Sequence, residues 1–150
     1  MAEMRFKTEI NSPIVRVFEL IADLSNYPRW LAPSQTYSEV TQSTAEPTRL
    51  GTTYTDIGRS AKMSGEVTEF EPPRLITFLQ TTQSKFAGLK GSITIRIRYT
   101  LEEIGNQTGV TRTVSVTPQG VFRLLTPVLL NVVRQESQRI LRVMKSHLEG

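Results

Sequence analysis

The chain has 150 residues, of which 38% are hydrophobic and 21% charged, and a formal net charge of +4. That length suits one domain with its own core, spanning residues 1–150. There is no cysteine and a single histidine, His147, which excludes a disulfide scaffold, a thiol nucleophile, thiolate metal sites and histidine-cluster metal sites. No metal and no cofactor is expected, because no zinc motif, calcium loop or phosphate-binding glycine loop appears. No window reaches the ~18 apolar residues of a membrane-spanning helix. Met1 to Lys7 lacks the apolar run of a signal peptide, so the expected location is cytoplasmic. Lysine and arginine are spread along the chain without a basic run. That pattern points away from nucleic acid and toward a weak preference for anionic ligands or anionic membrane.

Met4 to Ile10 alternates apolar and charged residues and predicts a half-buried strand. Asn11-Ser12-Pro13 follows, with Ser12 placed to cap a helix and Pro13 to suit its first turn. Val15, Val17, Phe18, Leu20 and Ile21 give that helix a buried side. Asp23 to Trp30 reads as a second short helix or turn, interrupted by Tyr27-Pro28. Six strands are predicted next, near Tyr37–Gln42, Thr52–Ile57, Lys62–Phe70, Leu75–Thr82, Ser92–Glu102 and Val110–Thr117, with turn signals between them. Short spacings favour an antiparallel meander. Ser92–Glu102 is the clearest strand. Ile93, Ile95, Ile97, Tyr99 and Leu101 share the face expected to be buried, and Arg96, Arg98 and Thr100 the wet one. From Thr126-Pro127 to His147 the apolar residues recur at helical spacing, predicting one long amphipathic helix of roughly 20 residues. Its apolar side needs a surface, and the apolar face of the sheet is the only one large enough. The predicted class is therefore α+β, in the order strand, two short helices, six strands, long helix.

This order resembles the START-like, or SRPBCC, superfamily with its helix-grip fold, which includes polyketide cyclase/dehydrase-like and birch-pollen-allergen-like proteins. The stretches that carry the likeness are Ile10-Asn11-Ser12-Pro13-Ile14-Val15-Arg16-Val17-Phe18, Leu24-Ser25-Asn26-Tyr27-Pro28-Arg29-Trp30, Gly65-Glu66-Val67-Thr68-Glu69-Phe70-Glu71-Pro72-Pro73-Arg74 and the closing helix ending Met144-Lys145-Ser146-His147-Leu148-Glu149. The resemblance implies a curved sheet of about seven strands around the C-terminal helix, with a ligand cavity between them whose mouth is formed by turns near Gly58–Ala61, Ser84–Gly91 and Pro118–Thr126. It also implies a small hydrophobic or amphipathic ligand, lipid-like or polyketide-like. An enzyme of the cyclase/dehydrase kind and a chaperone-like or regulatory interaction module are the alternatives, and the chain could be a monomer or a homodimer.

Several residues could line or serve such a site. Arg112 shares a strand face with Val110, Val114 and Val116, so it is expected inward, where it could anchor a carboxylate or enolate or form a structural ion pair. Glu136 lies inside the apolar stripe of the last helix and is the expected partner of Arg112; buried, it could act as a general acid or base. Tyr99 faces inward with a polar tip. Ile95, Ile97, Val114, Val133 and Ile140 would form apolar walls, and Trp30 would pack near the cavity. Phe86 and Leu89, among Lys85, Gly88, Lys90 and Gly91, are expected in a loop from Ser84 to Gly91 that gates the mouth and could touch an anionic membrane. Tyr54 and Asp56 share one face of a weakly alternating strand whose inward side the pattern does not decide. His147 reads as a solvent-facing or helix-dipole residue.

Overall fold

The computed structural model describes residues 2–33, 39–42, 47–57, 62–86 and 88–150, with backbone alone at 39–42 and 83–86. The expected start of the second strand at Tyr37, the turn at 58–61 and the side chain of Phe86 lie outside the described residues. The elements are β1 (Ala2–Ile10), α1 (Ile14–Ala22), a 3-10 segment (Leu24–Arg29), β2 (Glu39–Gln42), β3 (Thr53–Ile57), β4 (Lys62–Glu71), β5 (Leu75–Phe86), β6 (Leu89–Ile104), β7 (Gln107–Gly120), a second 3-10 segment (Val121–Leu125) and α2 (Thr126–Glu149). Among the described residues, seven strands form one antiparallel sheet in the order β1-β7-β6-β5-β4-β3-β2. The meander from β2 to β7 is completed by β1, which pairs with β7 through Phe6↔Arg112 and Met4↔Val114.

The faces follow the sequence pattern. In β1, Met4, Phe6 and Thr8 are half-buried, while Glu3, Arg5, Lys7 and Glu9 are exposed. In β7, Val110, Arg112, Val114 and Val116 are buried between half-exposed Thr111, Thr113 and Ser115. Tyr99 and Leu101 of β6 are buried, and Arg96, Arg98 and Thr100 are exposed. The long helix lies on the Arg112 side, opposite Arg96 and Arg98, with Ser137, Leu141, Met144 and Leu148 as its buried line. Its C-terminal end is tied down by Lys145, which donates to the Glu9 carbonyl and bridges Glu149 at 2.8 Å. Glu149 accepts from the Asn11 amide at 2.8 Å. Leu141, Met144 and Leu148 join Val17, Phe18 and Ile21 of α1, Leu31, and Ile76, Phe78, Leu101 and Val110 of the sheet in one core.

Four expectations are corrected. Ser12 does not cap α1: Pro13 holds the N-cap position, and the Ser12 hydroxyl is buried without a partner. The Ser12 carbonyl instead accepts from Thr108 at 2.7 Å, which binds the α1 entry to β7. The Ser84–Gly91 loop is a hairpin, because β5 and β6 pair as far as Phe86↔Leu89, with Gly88 at positive φ beyond. The turn expected at Pro118–Thr126 is the end of β7 followed by the 3-10 segment. Finally, Ile93, Ile95, Ile97, Val133 and Ile140 are half-buried rather than buried. The physical reason is the position of α2: its buried line begins at Ser137, and none of its residues before that is buried. Leu124, Val128 and Val132 are 81%, 60% and 37% exposed. The hairpin half of the inward sheet face is therefore only partly covered. No described helix is long and apolar enough to cross a membrane.

Candidate functional site

The inward sheet face carries a series of three aromatic rings, on β3, β5 and β6, that ends at Arg112 of β7. Tyr54 of β3 stands edge-on to Phe78 of β5, with ring centroids 5.8 Å apart and planes at 87°. Phe78 stands edge-on to Tyr99 of β6 at 6.3 Å and 85°. The guanidinium carbon of Arg112, cross-strand from Tyr99, lies 5.4 Å from the Tyr99 ring centroid. Edge-to-face contacts of this kind fix ring orientations beyond simple area burial.

Arg112 is 6% exposed. Its Nε–H donates to the Ser137 hydroxyl of α2 at 3.1 Å, and its Nη1–H donates to the Tyr99 hydroxyl. Among the described residues no carboxylate forms an ion pair with it. The expected Arg112–Glu136 pair is thus not formed. Glu136 instead accepts from Arg139, at 2.7 Å from Nη2 and 3.0 Å from Nε, and Arg139 also donates to the Ala32 carbonyl at 2.9 Å. One helix position explains the change: Ser137, not Glu136, sits at the centre of the buried line, and Glu136 is rotated about 100° from it, within reach of Arg139 on the next turn. A buried cation held by two hydroxyls and a ring keeps donor capacity and positive charge available to an anionic or strongly polar ligand group.

Tyr54 and Asp56 are on the inward face. Tyr54 is 2% exposed and donates to Gln80 Oε1 at 2.7 Å, while Gln80 Nε2 lies 3.5 Å from the Met63 sulfur. Gly65 makes this possible. It lies between Tyr54 and Gln80 in the register, and a Cβ there would sit 2.2 Å from Cζ of Tyr54. The phenol ring therefore crosses β4 over a bare backbone to reach β5. Burial, then the charge of Asp56, holds the Tyr54 phenol well above its usual range. Asp56 has one carboxyl oxygen, Oδ1, buried without a hydrogen-bond partner. Burial raises its pKa to about 6; a hydrogen bond from the Gln80 side chain to the carboxyl offsets part of the rise, the charge of Glu136 adds to it, and Arg112 opposes it. The charges of Glu136 on α2 and Arg112 on β7 thus reach Asp56 on β3.

The other expected site residues divide in two. Ile95, Ile97, Val114, Val133 and Ile140 sit on the inward sheet face or beside the buried helix line. Trp30 is buried in the core, edge-on to Tyr27 at 5.1 Å and 6.5 Å from the His147 ring. Leu89 is 60% exposed at the hairpin end. Sequence reasoning passed over Gln80 and Ser137, although Ser137 is the polar break in the 133–137–141–144–148 line of the helix. On the opposite sheet face, Arg5, Lys7, Arg96 and Arg98 border an open groove of about 350 Å³ floored by Thr111, Thr113 and Ser115. Glu69 bridges Arg96 at 2.9 Å and Arg98 at 3.6 Å. These are solvated charges on the wet face, and they include no buried group.

The sequence matches the model of the polyketide cyclase / dehydrase and lipid transport family over residues 1–149. The chain belongs to this family. No curated protein matches it significantly. Among solved structures it is similar to a START superfamily protein from Mycobacterium smegmatis, at 11% identity and a TM-score of 0.71, covering 98% of this chain and 97% of that one. It is also similar to the Aha1 dimer from Colwellia psychrerythraea, at 16% identity and a TM-score of 0.69, covering 99% and 97%. A third is CalU16 from Micromonospora echinospora, at 15% identity and a TM-score of 0.57, covering 95% and 75%. These likenesses show the START-like helix-grip fold: a curved antiparallel sheet grips a long C-terminal helix.

Proposed function

We propose that residues 1–150 form a single ligand-binding domain that takes a small amphipathic molecule between the sheet and α2. The ligand's polar head meets Arg112, Tyr99 and Ser137, and its apolar body lies along Ile95, Ile97, Val114, Val133 and Ile140. The observation that carries this reading is the buried Arg112 held by hydroxyls rather than by a carboxylate. A buried cation without a counter-ion is costly unless a partner arrives. The family match and the partly covered hairpin half of the sheet support a lipid-like or polyketide-like ligand. We also propose that Leu89, Leu124, Val128 and Val132, bordered by Lys90 and Arg123, meet an anionic membrane during ligand exchange. A second reading, a cyclase/dehydrase-type enzyme, is favoured by one observation, the unpartnered oxygen of Asp56.

The test uses cis-parinaric acid and its methyl ester, followed by fluorescence, with native mass spectrometry for any co-purifying ligand. The acid should bind at least about tenfold more tightly than the ester, the equivalent of one charge-assisted hydrogen bond. Arg112→Met should remove that difference while the ester's affinity stays the same. Equal affinities for acid and ester in the unaltered protein would overturn the anchoring role of Arg112.

A further inference from the structure

The outer face of the sheet, turned away from α2, carries a groove that the ligand site does not use. Along β7 the outward residues Thr111, Thr113 and Ser115 are short, while the strands on either side carry long cationic side chains. The groove of about 350 Å³ follows from that difference in length. Its two walls stand two strand spacings apart, ~10 Å between backbones. On the β6 wall, Glu69 of β4 bridges Arg96 at 2.9 Å and Arg98 at 3.6 Å. Glu69 is itself held by the Thr77 hydroxyl at 2.8 Å. One carboxylate thus steadies two guanidiniums, leaving each with further N–H donors and the group with a net positive charge. On the β1 wall, Arg5 and Lys7 are exposed and form no ion pair among the described residues.

The register sets these charges in rows. Arg5 and Arg98 flank Thr113, Lys7 and Thr100 flank Thr111, and Glu3 and Arg96, of opposite sign, flank Ser115. Successive rows are ~7 Å apart, the two-residue repeat of an extended chain. A peptide laid along β7 in extended form presents every second side chain to the groove at that same repeat. Two acidic side chains at alternate positions therefore meet the Arg5–Arg98 row and the Lys7 row together, while the mixed Glu3–Arg96 row suits a neutral polar residue. Among the described residues, no aromatic or apolar side chain lines the groove, so it offers no platform for a stacked base and no bed for an acyl chain. We propose that this groove docks an extended acidic segment of another protein, with carboxylates at alternate positions over Thr113 and Thr111.

The test is an NMR titration of the isotope-labelled full chain at physiological ionic strength, where exposed charges more than about 8 Å apart are largely screened. Two peptides of one composition are compared. Gly-Glu-Ser-Glu-Ser-Gly has its acids two apart, whereas Gly-Ser-Glu-Glu-Ser-Gly has adjacent acids that point to opposite sides of an extended chain. The first should shift the backbone amides of Thr111, Thr113 and Arg98, and should bind at least about fivefold more tightly than the second. Arg5→Glu with Lys7→Glu should weaken it by about tenfold or more, because two attractive contacts become repulsive. Arg134→Glu with Arg142→Glu makes the same change in net charge at exposed positions of α2, on the other side of the sheet, and should leave the affinity within about twofold. All four positions are exposed, so both variants should keep the circular dichroism of the unaltered protein. Equal affinity for the two peptides, equal loss in the two variants, or shifts centred outside the groove would overturn the docking site. Tighter binding of the groove residues to a short single-stranded oligothymidylate, or to phosphatidylserine vesicles, than to the first peptide would overturn the acidic segment as its occupant.

Discussion

Asp56 and Arg112 each bear a charge in an apolar interior, and each has a thermodynamic signature. The folded Asp56 carboxyl ionises near pH 6, against an ordinary value of 3.8 in the unfolded chain. Between these values the native state holds a proton that the unfolded state has released. The contribution of Asp56 to stability is therefore most favourable below about pH 4, falls as pH rises through about 6, and stays lower above, by roughly 3 kcal/mol at most. Asp56→Asn should raise the denaturant midpoint at pH 7.5 and leave it unchanged at pH 4; an equal gain at both pH values would contradict this origin. Arg112 behaves differently because its partners are hydroxyls. Removing it orphans Tyr99 and Ser137 but breaks no ion pair among the described residues. Ser137 can turn to its own helix backbone. Arg112→Met should therefore change stability by no more than about 2 kcal/mol in urea titrations, whereas a broken buried ion pair costs about 3–5. A loss in that larger range would reveal a carboxylate partner.

At the scale of elements, the short strands and the helix start are the informative parts. Gly65→Ala drives a Cβ into the buried Tyr54 ring, so the ring must leave Gln80 or β4 must move. A loss of about 1–3 kcal/mol is expected, as for other overpacked interiors. Tyr54→Phe, which keeps the ring but drops the hydroxyl, should cost less; the reverse order would show that the hydrogen bond, not the ring, drives the arrangement. The long strands were legible in the sequence because each buries one face over many residues, so that Arg96 and Arg98 against Tyr99 and Leu101 leave one possible phase. β3 was not legible. It has five residues, Thr-Tyr-Thr-Asp-Ile, with Tyr54 and Ile57 on opposite faces, and the choice is made by β4, where a bare Gly65 accepts the ring. The helix was legible as an amphipathic element, but not to the one residue that separates Glu136 from Ser137. Glu136 fits the apolar stripe about as well by spacing. The structure breaks the tie with Arg139, which holds Glu136 while it also binds the Ala32 carbonyl.

For the whole molecule, the distribution of charge and apolar surface sets an orientation. Between Pro72 and Leu101, and again between Ile104 and Gln135, there is no acidic residue. These segments hold the β5–β6 hairpin, the end of β7, the second 3-10 segment and the start of α2. Exposed Leu89, Leu124 and Val128 lie there beside Lys90 and Arg123. The protein should co-sediment with vesicles containing phosphatidylserine more than with neutral vesicles, less so at high salt. Leu124→Glu with Val128→Glu should abolish this without loss of stability, both positions being exposed. Equal recovery on neutral and anionic vesicles would argue against the orientation.

The Tyr54–Phe78–Tyr99–Arg112 series has a further consequence, for how the molecule could diversify. In the proposed binding mode the head group meets Arg112 of β7 and Tyr99 of β6, a ring braced through Phe78 of β5 to Tyr54 of β3, whereas α2 contributes a single contact, Ser137. The tail walls proposed on α2, Val133 and Ile140, are separate from that contact. A gene lineage could therefore exchange the helix residues at 133 and 140 and change the length or branching of the accepted tail, while the head stayed in register. Selection on tail shape would then fall on one helix and selection on head chemistry on one sheet, two traits that one small domain could alter independently.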